Sequence, residues 1–140
     1  VNKDILNFSK QNLEKEYSNI EILHHDLFSQ KIPESIYFES VGVNYVLHCV
    51  SENLQTKLDK LIHNLGNNKY NLFGASVICD PLHMNTIAEY ELIFLNALGI
   101  FNNNEDTYYE LEEYLNSRNI KFSLRKIGYV AIFNMEIDNT

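Results

Sequence analysis

Tryptophan is absent from the 140 residues, and proline and cysteine occur twice each. Two cysteines, Cys49 and Cys79, cannot make a disulfide framework, so a reduced, cytoplasmic setting is the expectation. The five glycines, Gly42, Gly66, Gly74, Gly99 and Gly128, fall nowhere in the GxGxxG spacing that cradles a dinucleotide. Basic residues number 11 against 19 acidic ones, and they are spread along the chain without a cluster. A nucleic-acid surface needs a basic stripe to neutralise phosphates, and a formal charge of −8 argues against one. No apolar run approaches the roughly 18 residues that span a bilayer, so no membrane partner is expected. Internal repeats and low-complexity tracts are also missing. The chain begins at Val1 and enters a helix-like pattern at once, as a processed or partial chain does.

What is present suits one soluble domain over residues 1–140: 45% apolar and 21% charged residues, enough for a single core. The stretch that organises the rest is residues 38–49, FESVGVNYVLHC. An apolar strand runs through Val41, Gly42 and Val43, then stops at the polar-tipped pair Asn44 and Tyr45, with His48 one turn on. Open α/β sheets bind ligands outside the carboxyl ends of their strands. Gly42 inside the strand predicts something packed closely on the backbone.

Around that stretch, the pattern alternates. Asp4 suits the cap of a first helix with Leu6, Leu13 and Tyr17 inward and Lys10 and Glu14 outward. Residues 20–23 read as a short strand before His24, His25 and Asp26. Ser51 is expected to cap a helix whose stripe is Leu54, Leu58, Leu61, Ile62 and Leu65, closed by Gly66. Residues 70–79 suit a buried strand. A helix over residues 84–98, apolar nearly all round in its second half, should be covered on more than one side. Thr107 and Glu110 form a capping box ahead of Tyr108, Leu111, Tyr114 and Leu115. Glu105, Asp106, Glu110, Glu112 and Glu113 read as a solvated helix face. Residues 120–127 and 129–137, joined through Gly128, must form an antiparallel pair. The alternation predicts an α/β fold, a mostly parallel sheet covered on both faces with an antiparallel hairpin at one edge.

Taken together, residues 38–49, Leu72-Phe73-Gly74-Ala75, Phe101-Asn102-Asn103 and the closing Gly128-Tyr129-Val130-Ala131-Ile132-Phe133 resemble the class I S-adenosylmethionine-dependent methyltransferases. The first segment is fairly specific, whereas the others are individually weak. The resemblance implies a Rossmann-like sheet of order 3-2-1-4-5-7-6, truncated at the N-terminus, since the first strand and its glycine-rich loop have no counterpart here. It implies S-adenosylmethionine as cofactor, with Ile5 on the adenine face, Asp26 on the adenine amino group, a backbone amide from Leu27, and Asn44 near the methionine. Tyr45 and His48 would then face the acceptor, expected to be a small molecule, with His48 able to take its proton near neutral pH. The missing strands imply either a separate N-terminal segment or a homodimer that completes the sheet.

Plainer readings compete with each of these. Asp26 is also an ordinary turn residue, Ile5 a first-turn core residue, Asn44 and Tyr45 a strand-end cap, and His48 a satisfied structural histidine. His24, His25, Asp26, Cys49, Cys79, Asp80 and His83 are potential metal ligands, but Pro81 separates the Cys79 and His83 pair and no second pair has zinc-like spacing, so no metal is expected. No serine or cysteine sits in a nucleophile elbow. A non-catalytic scaffold or partner-binding module that kept the methyltransferase fold is the alternative function.

Overall fold

The computed structural model describes residues 3–66, 68–80 and 84–138. In chain order the elements are α1 (Lys3–Leu13), β1 (Ser40–Asn44), a 3-10 turn (Leu47–Cys49), α2 (Leu54–Leu65), β2 (Lys69–Val77), α3 (Thr86–Ala97), α4 (Tyr108–Ser117), β3 (Lys121–Ile127) and β4 (Val130–Asp138).

The four strands form one sheet in the order β1-β2-β4-β3. The last strand to be made inserts between its two predecessors, as the 4-5-7-6 half of the expected order requires. β1 pairs parallel with β2, while β4 runs antiparallel to both β2 and β3. The α/β class stands. Among the described strands, however, the sheet is mixed with one parallel pairing of three, because the hairpin contributes two. The hairpin itself forms as expected, turning at Gly128.

Register decides what the sheet buries. On β2 the even residues Tyr70, Leu72, Gly74 and Ser76 face inward, and on β4 the odd residues Ala131, Phe133, Met135 and Ile137 do. Against them pack Leu54, Leu58, Leu61 and Leu65 of α2 and Leu111, Tyr114 and Leu115 of α4. The helical stripe and the strand alternation therefore meet in one core, the main source of stability. The capping box of α4 is present, with Thr107 and Glu110 bonding each other's backbone amides. α2 begins later than expected. Its cap is Asn53, whose Oδ1 accepts from the Thr56 amide at 2.9 Å, so Ser51 lies outside the helix. Asn at this position competes equally well with Ser as a cap.

Four further expectations are corrected. Among the described residues the sheet is covered on one face only: Phe73 and Ile132 remain 43% and 41% exposed on the other. Residues 20–23 are in no strand, since no neighbouring strand offers them a ladder. α1 ends at Leu13, short of Tyr17; Asp4 sits in its first turn, none of its residues is buried, and Leu13 and Tyr17 are both exposed. In α3, only Ala88 and Leu92 are buried, so the helix is covered on one side and not on several. Its apolar outer residues have no layer above them among the described elements.

Close packing at Gly42 is borne out. A Cβ there would lie 3.2 Å from the Phe73 ring across the open face. Gly74 is tighter still: a Cβ would stand 1.8 Å from the Val43 carbonyl oxygen on the paired strand. Only glycine lets β1 and β2 approach at this register.

Candidate active site

β1 ends where Tyr45 takes φ +56, the left-handed region that a residue with a Cβ seldom occupies. Its amide still donates to the Ala75 carbonyl at 2.7 Å, so the ladder holds the residue in this conformation. The twist throws the ring outward, leaving Tyr45 56% exposed at the carboxyl end of the strand. Backbone strain of this kind gathers at binding sites, where surrounding structure enforces it. Asn44, also exposed, opens on the uncovered face of the sheet, where it lines a shallow groove of about 620 Å³ with Ser40, Asn71, Phe73, Ala75 and Asn134.

His48 follows in the 3-10 turn and is 3% exposed. Its Nδ1 accepts from the Val77 amide at 3.3 Å, which places the ring proton on Nε2. The Phe101 ring stands edge-on at 4.4 Å and the Tyr45 ring at 6.1 Å. Burial, and then the Lys57 charge, pull the imidazole below its usual pKa. A neutral Nε2–H imidazole with its lone pair engaged is a donor and a wedge behind Tyr45. To act as a base it would first have to release the Val77 amide.

Beneath the strand ends lies a polar assembly that the sequence did not announce. Lys57, fully buried on the apolar stripe of α2, donates to Asp106 Oδ2 at 2.6 Å and to the Asn102 carbonyl at 2.8 Å. Asn102 returns its amide to the His48 carbonyl at 2.6 Å and its side-chain NH2 to the Cys49 carbonyl at 3.2 Å. Buried Asn103 donates to the Val77 carbonyl at 3.0 Å and is itself bound by Asn96 of α3. The Asp106 carbonyl accepts from the Cys79 amide at 2.7 Å. Asp106 therefore does not belong to a solvated face; it is 2% exposed, whereas Glu105, Glu112 and Glu113 are exposed. Burial raises the Asp106 carboxyl above its ordinary range, against the pull of the Lys57 hydrogen bond. One signal could have found this: Lys57 falls three residues after Leu54 and four before Leu61, inside the stripe where a charge must have a partner.

The remaining predicted site residues stand elsewhere. The Asp26 carboxylate accepts from the Phe28 amide at 3.0 Å and from Ser29 Oγ at 2.6 Å, and the serine foremost, then the amide, hold it below its usual pKa. That is the turn role, with the side chain still exposed. The Leu27 carbonyl accepts from Asn64 of α2 at 2.8 Å, tying this loop to the core. Ile5 is 62% exposed on α1. Tyr45 and His48 are brought together by ring contact, with Asn44 adjacent; Asp26 and Leu27 form a second group, and Ile5 stands on a third element. Among the described residues no three His, Cys, Asp or Glu side chains gather as metal ligands, and no helix is long and apolar enough to cross a membrane. His83 and Pro81 lie outside the described residues.

The parallel pair and the reversed closing hairpin match the 4-5-7-6 half of a methyltransferase-type α/β sheet. The comparisons agree: the chain has the fold of the S-adenosylmethionine-dependent methyltransferases. It is 31% identical over 98 residues to the demethylluteothin O-methyltransferase of Streptomyces thioluteus, a match spanning 69% of this chain and 43% of that enzyme. Solved OxaC, in complex with SAH and oxaline, superposes with TM-score 0.63 at 16% identity over 95% of this chain and 33% of its own. Human N-acetylserotonin methyltransferase, in complex with SAM, gives TM-score 0.59 at 17% identity over 95% of this chain and 38% of its own. The chain thus spans less than half the length of each of these proteins. No protein-family model matches it.

Proposed function

We propose that the chain is the acceptor-side part of a cytoplasmic S-adenosylmethionine-dependent methyltransferase acting on a hydroxyl of a small molecule. The observation that carries this is Tyr45: exposed, held at positive φ, and placed at the carboxyl end of β1. Its support comes from the O-methyltransferase relatives and from the absence of a basic patch for a polynucleotide acceptor.

The chain's residues fit part of a cofactor site. Asp26 and Asn44 present exposed polar groups, and Ile5 presents an exposed apolar one; no glycine-rich cradle accompanies them. On this reading Asp26 and the Leu27 amide hold the adenine edge, Ile5 covers its face, and Asn44 meets the methionine end. The bound cofactor supplies an electrophilic methyl group. Tyr45 and Asn44 orient the acceptor for in-line attack, which needs little beyond proximity and alignment. His48, neutral and fixed by Val77, stands edge-on to the Tyr45 ring and would offer Nε2–H to the acceptor oxygen. The Lys57–Asp106 pair positions His48 through the Asn102 amide.

The open edge of β1 and the bare face beside it call for a strand followed by a helix, to be supplied by an N-terminal methyltransferase half or by a second copy. Calorimetric titration with S-adenosylhomocysteine tests the reading. The chain alone should bind weakly, and the chain joined to the first strand, glycine-rich loop and second strand of its relatives should bind saturably. No binding by the completed protein would sink the proposal. In that protein, Asp26→Ala should weaken binding by about 1–3 kcal/mol, the scale of an unpaired polar contact. Tyr45→Phe should slow turnover at near-normal cofactor affinity.

A further inference from the structure

The carboxyl end of β1 is equipped to donate a proton but not to take one. The unprotonated nitrogen of His48, Nδ1, is turned into the protein: the Val77 amide donates to it at 3.3 Å, and buried Ser76 Oγ stands 3.5 Å away. Its proton sits on Nε2, so the ring has no free lone pair for a proton arriving from outside. The neighbouring groups are engaged as well. Asp106 holds Lys57 at 2.6 Å, and Asp80, just after β2, holds Lys126. Desolvation raises the Cys49 thiol, which therefore keeps its proton near neutrality. The charge that reaches the imidazole is a positive one, the buried ammonium of Lys57. Among the described residues, nothing at this strand end combines a free lone pair with the basicity to deprotonate an alcohol.

We propose that the acceptor is a planar, conjugated hydroxyl that enters already ionised, and that His48 Nε2–H receives its oxyanion. The inference rests on the methyl-transfer reading and names the substrate class within it. Conjugation makes a hydroxyl acidic, which removes the need for a base, and it also makes the molecule flat. The surroundings suit a flat molecule. The half-buried Phe101 ring stands edge-on to His48 at 4.4 Å and the exposed Tyr45 ring at 6.1 Å, so the donor imidazole is flanked by two aromatic rings. The step balances without a proton. A lone pair of the acceptor oxygen forms the new O–C bond as the methyl C–S bond breaks, and the released pair stays on sulfur. Oxyanion and sulfonium charges cancel, leaving a neutral ether and a neutral thioether. An aliphatic alcohol would leave a proton with no group to take it.

The absorption of para-nitrophenol, whose anion is coloured, tests the proposal when the full chain is titrated into it at the probe's own pKa. The bound probe should hold ~10-fold more anion relative to phenol than the free one, a shift of one pKa unit. Tyr45→Ala, at an exposed residue, should weaken uptake ~10-fold, the scale of one aromatic contact. Tyr109→Ala, equally exposed on α4, should leave uptake unchanged. Displacement by tetronic acid extends the acceptor class to enols, and its failure confines the class to phenols. Isotope-labelled nitrogen spectra separate donor from base, since His48 should remain the neutral Nε2–H tautomer with the anion bound. An imidazolium that forms as the probe ionises would make His48 the base and overturn the proposal. A probe bound in its neutral form, or not bound, overturns it too. In the completed protein, kcat/KM should break at the acceptor's own pKa, moving when phenol replaces para-nitrophenol, and cyclohexanol should be inert. A break at one fixed pH for both phenols, or methylation of cyclohexanol, overturns the proposal. Binding of S-adenosylhomocysteine by the same protein reports separately on the methyl-transfer reading, which alone fails if that binding is absent.

Discussion

The two faces of one sheet behave as two different surfaces. Inward from β2 and β4 project Leu72, Phe133, Met135 and Ile137, all 2% exposed or less, under the stripes of α2 and α4. Outward from the same strands project Asn71, Phe73, Ile132 and Asn134, with solvent above them. Both faces share the same ladder of backbone hydrogen bonds. The difference teaches that hydrogen bonding sets the sheet's geometry while the covering layer sets which residues stabilise it. Even the polar groups follow this division. Lys57, Asp106 and Asn103 beneath the covered side have their partners, with the Tyr70 hydroxyl an exception, whereas the polar side chains of the open side line an unfilled groove.

Breaking the buried match should give the largest effect. Lys57→Ala leaves Asp106 without its counter-ion where water cannot reach, and removal of one member of such a pair destabilises by about 3–5 kcal/mol. Urea unfolding would show this as a fall in the midpoint at nearly unchanged slope. The double variant Lys57→Met with Asp106→Leu should recover most of the loss, because no charge is left unpaired. A double variant as unstable as the single one would show that the pair itself, and not its desolvation, carries the energy.

The contrast between the faces sharpens with a matched pair one residue apart. Leu72→Ala opens a cavity in the core and should cost about 2–5 kcal/mol. Phe73→Ala removes a larger side chain, yet one left 43% exposed on Gly42, and should cost the chain about 1 kcal/mol or less. Equal losses from the two would mean that the outer face is covered after all. Unfolding curves for the two variants side by side decide it.

The sequence foretells this fold unevenly, and the unevenness has physical causes. Local rules act over a few residues, so the Thr107–Glu110 box, the Gly66 helix end and the hairpin at Gly128 are readable directly. Strand order came from the resemblance; periodicity alone leaves β4 free to lie at the edge. What stayed hidden depends on distant partners. Asp106 looks like one more acidic surface residue until Lys57, 49 positions away, is set beside it. Residues 20–23 have a strand's composition but no neighbour, and α3 has a buried helix's composition with one covered side. The exposed place of Tyr45 at the strand end is legible in the sequence. Its positive φ is not, because nothing in its own side chain asks for that conformation.

A smaller effect is expected at Tyr70, on the covered face. Its hydroxyl is buried and has no hydrogen-bond partner among the described residues, and burial raises its pKa to about 12. Tyr70→Phe keeps the packing and removes the orphaned group, so stability should hold or rise by up to about 1 kcal/mol. A loss above that size would reveal a partner for the hydroxyl, which thermal unfolding of the two proteins can detect.

The smallest effect concerns protons at the boundary between the two surfaces, and its sign follows from His48. Above pH 6.5, the imidazole's ordinary value, it is neutral folded and unfolded alike and contributes no pH dependence. Below that value the unfolded chain takes a proton that the buried ring refuses, so stability falls as pH drops through 6.5 towards the depressed folded pKa. Asp106 has the opposite sign in a lower window. Its raised carboxyl binds a proton in the folded state before the unfolded one does, which returns some stability as pH falls towards 3.8. Stability against pH should therefore decline gently below 6.5 and flatten in the acid range. His48→Gln, which keeps an acceptor for the Val77 amide without a titrating ring, should remove the decline near 6.5 and leave the acid limb intact. Urea midpoints measured at intervals of pH would show it, and a decline that persists in His48→Gln would assign that proton to another histidine.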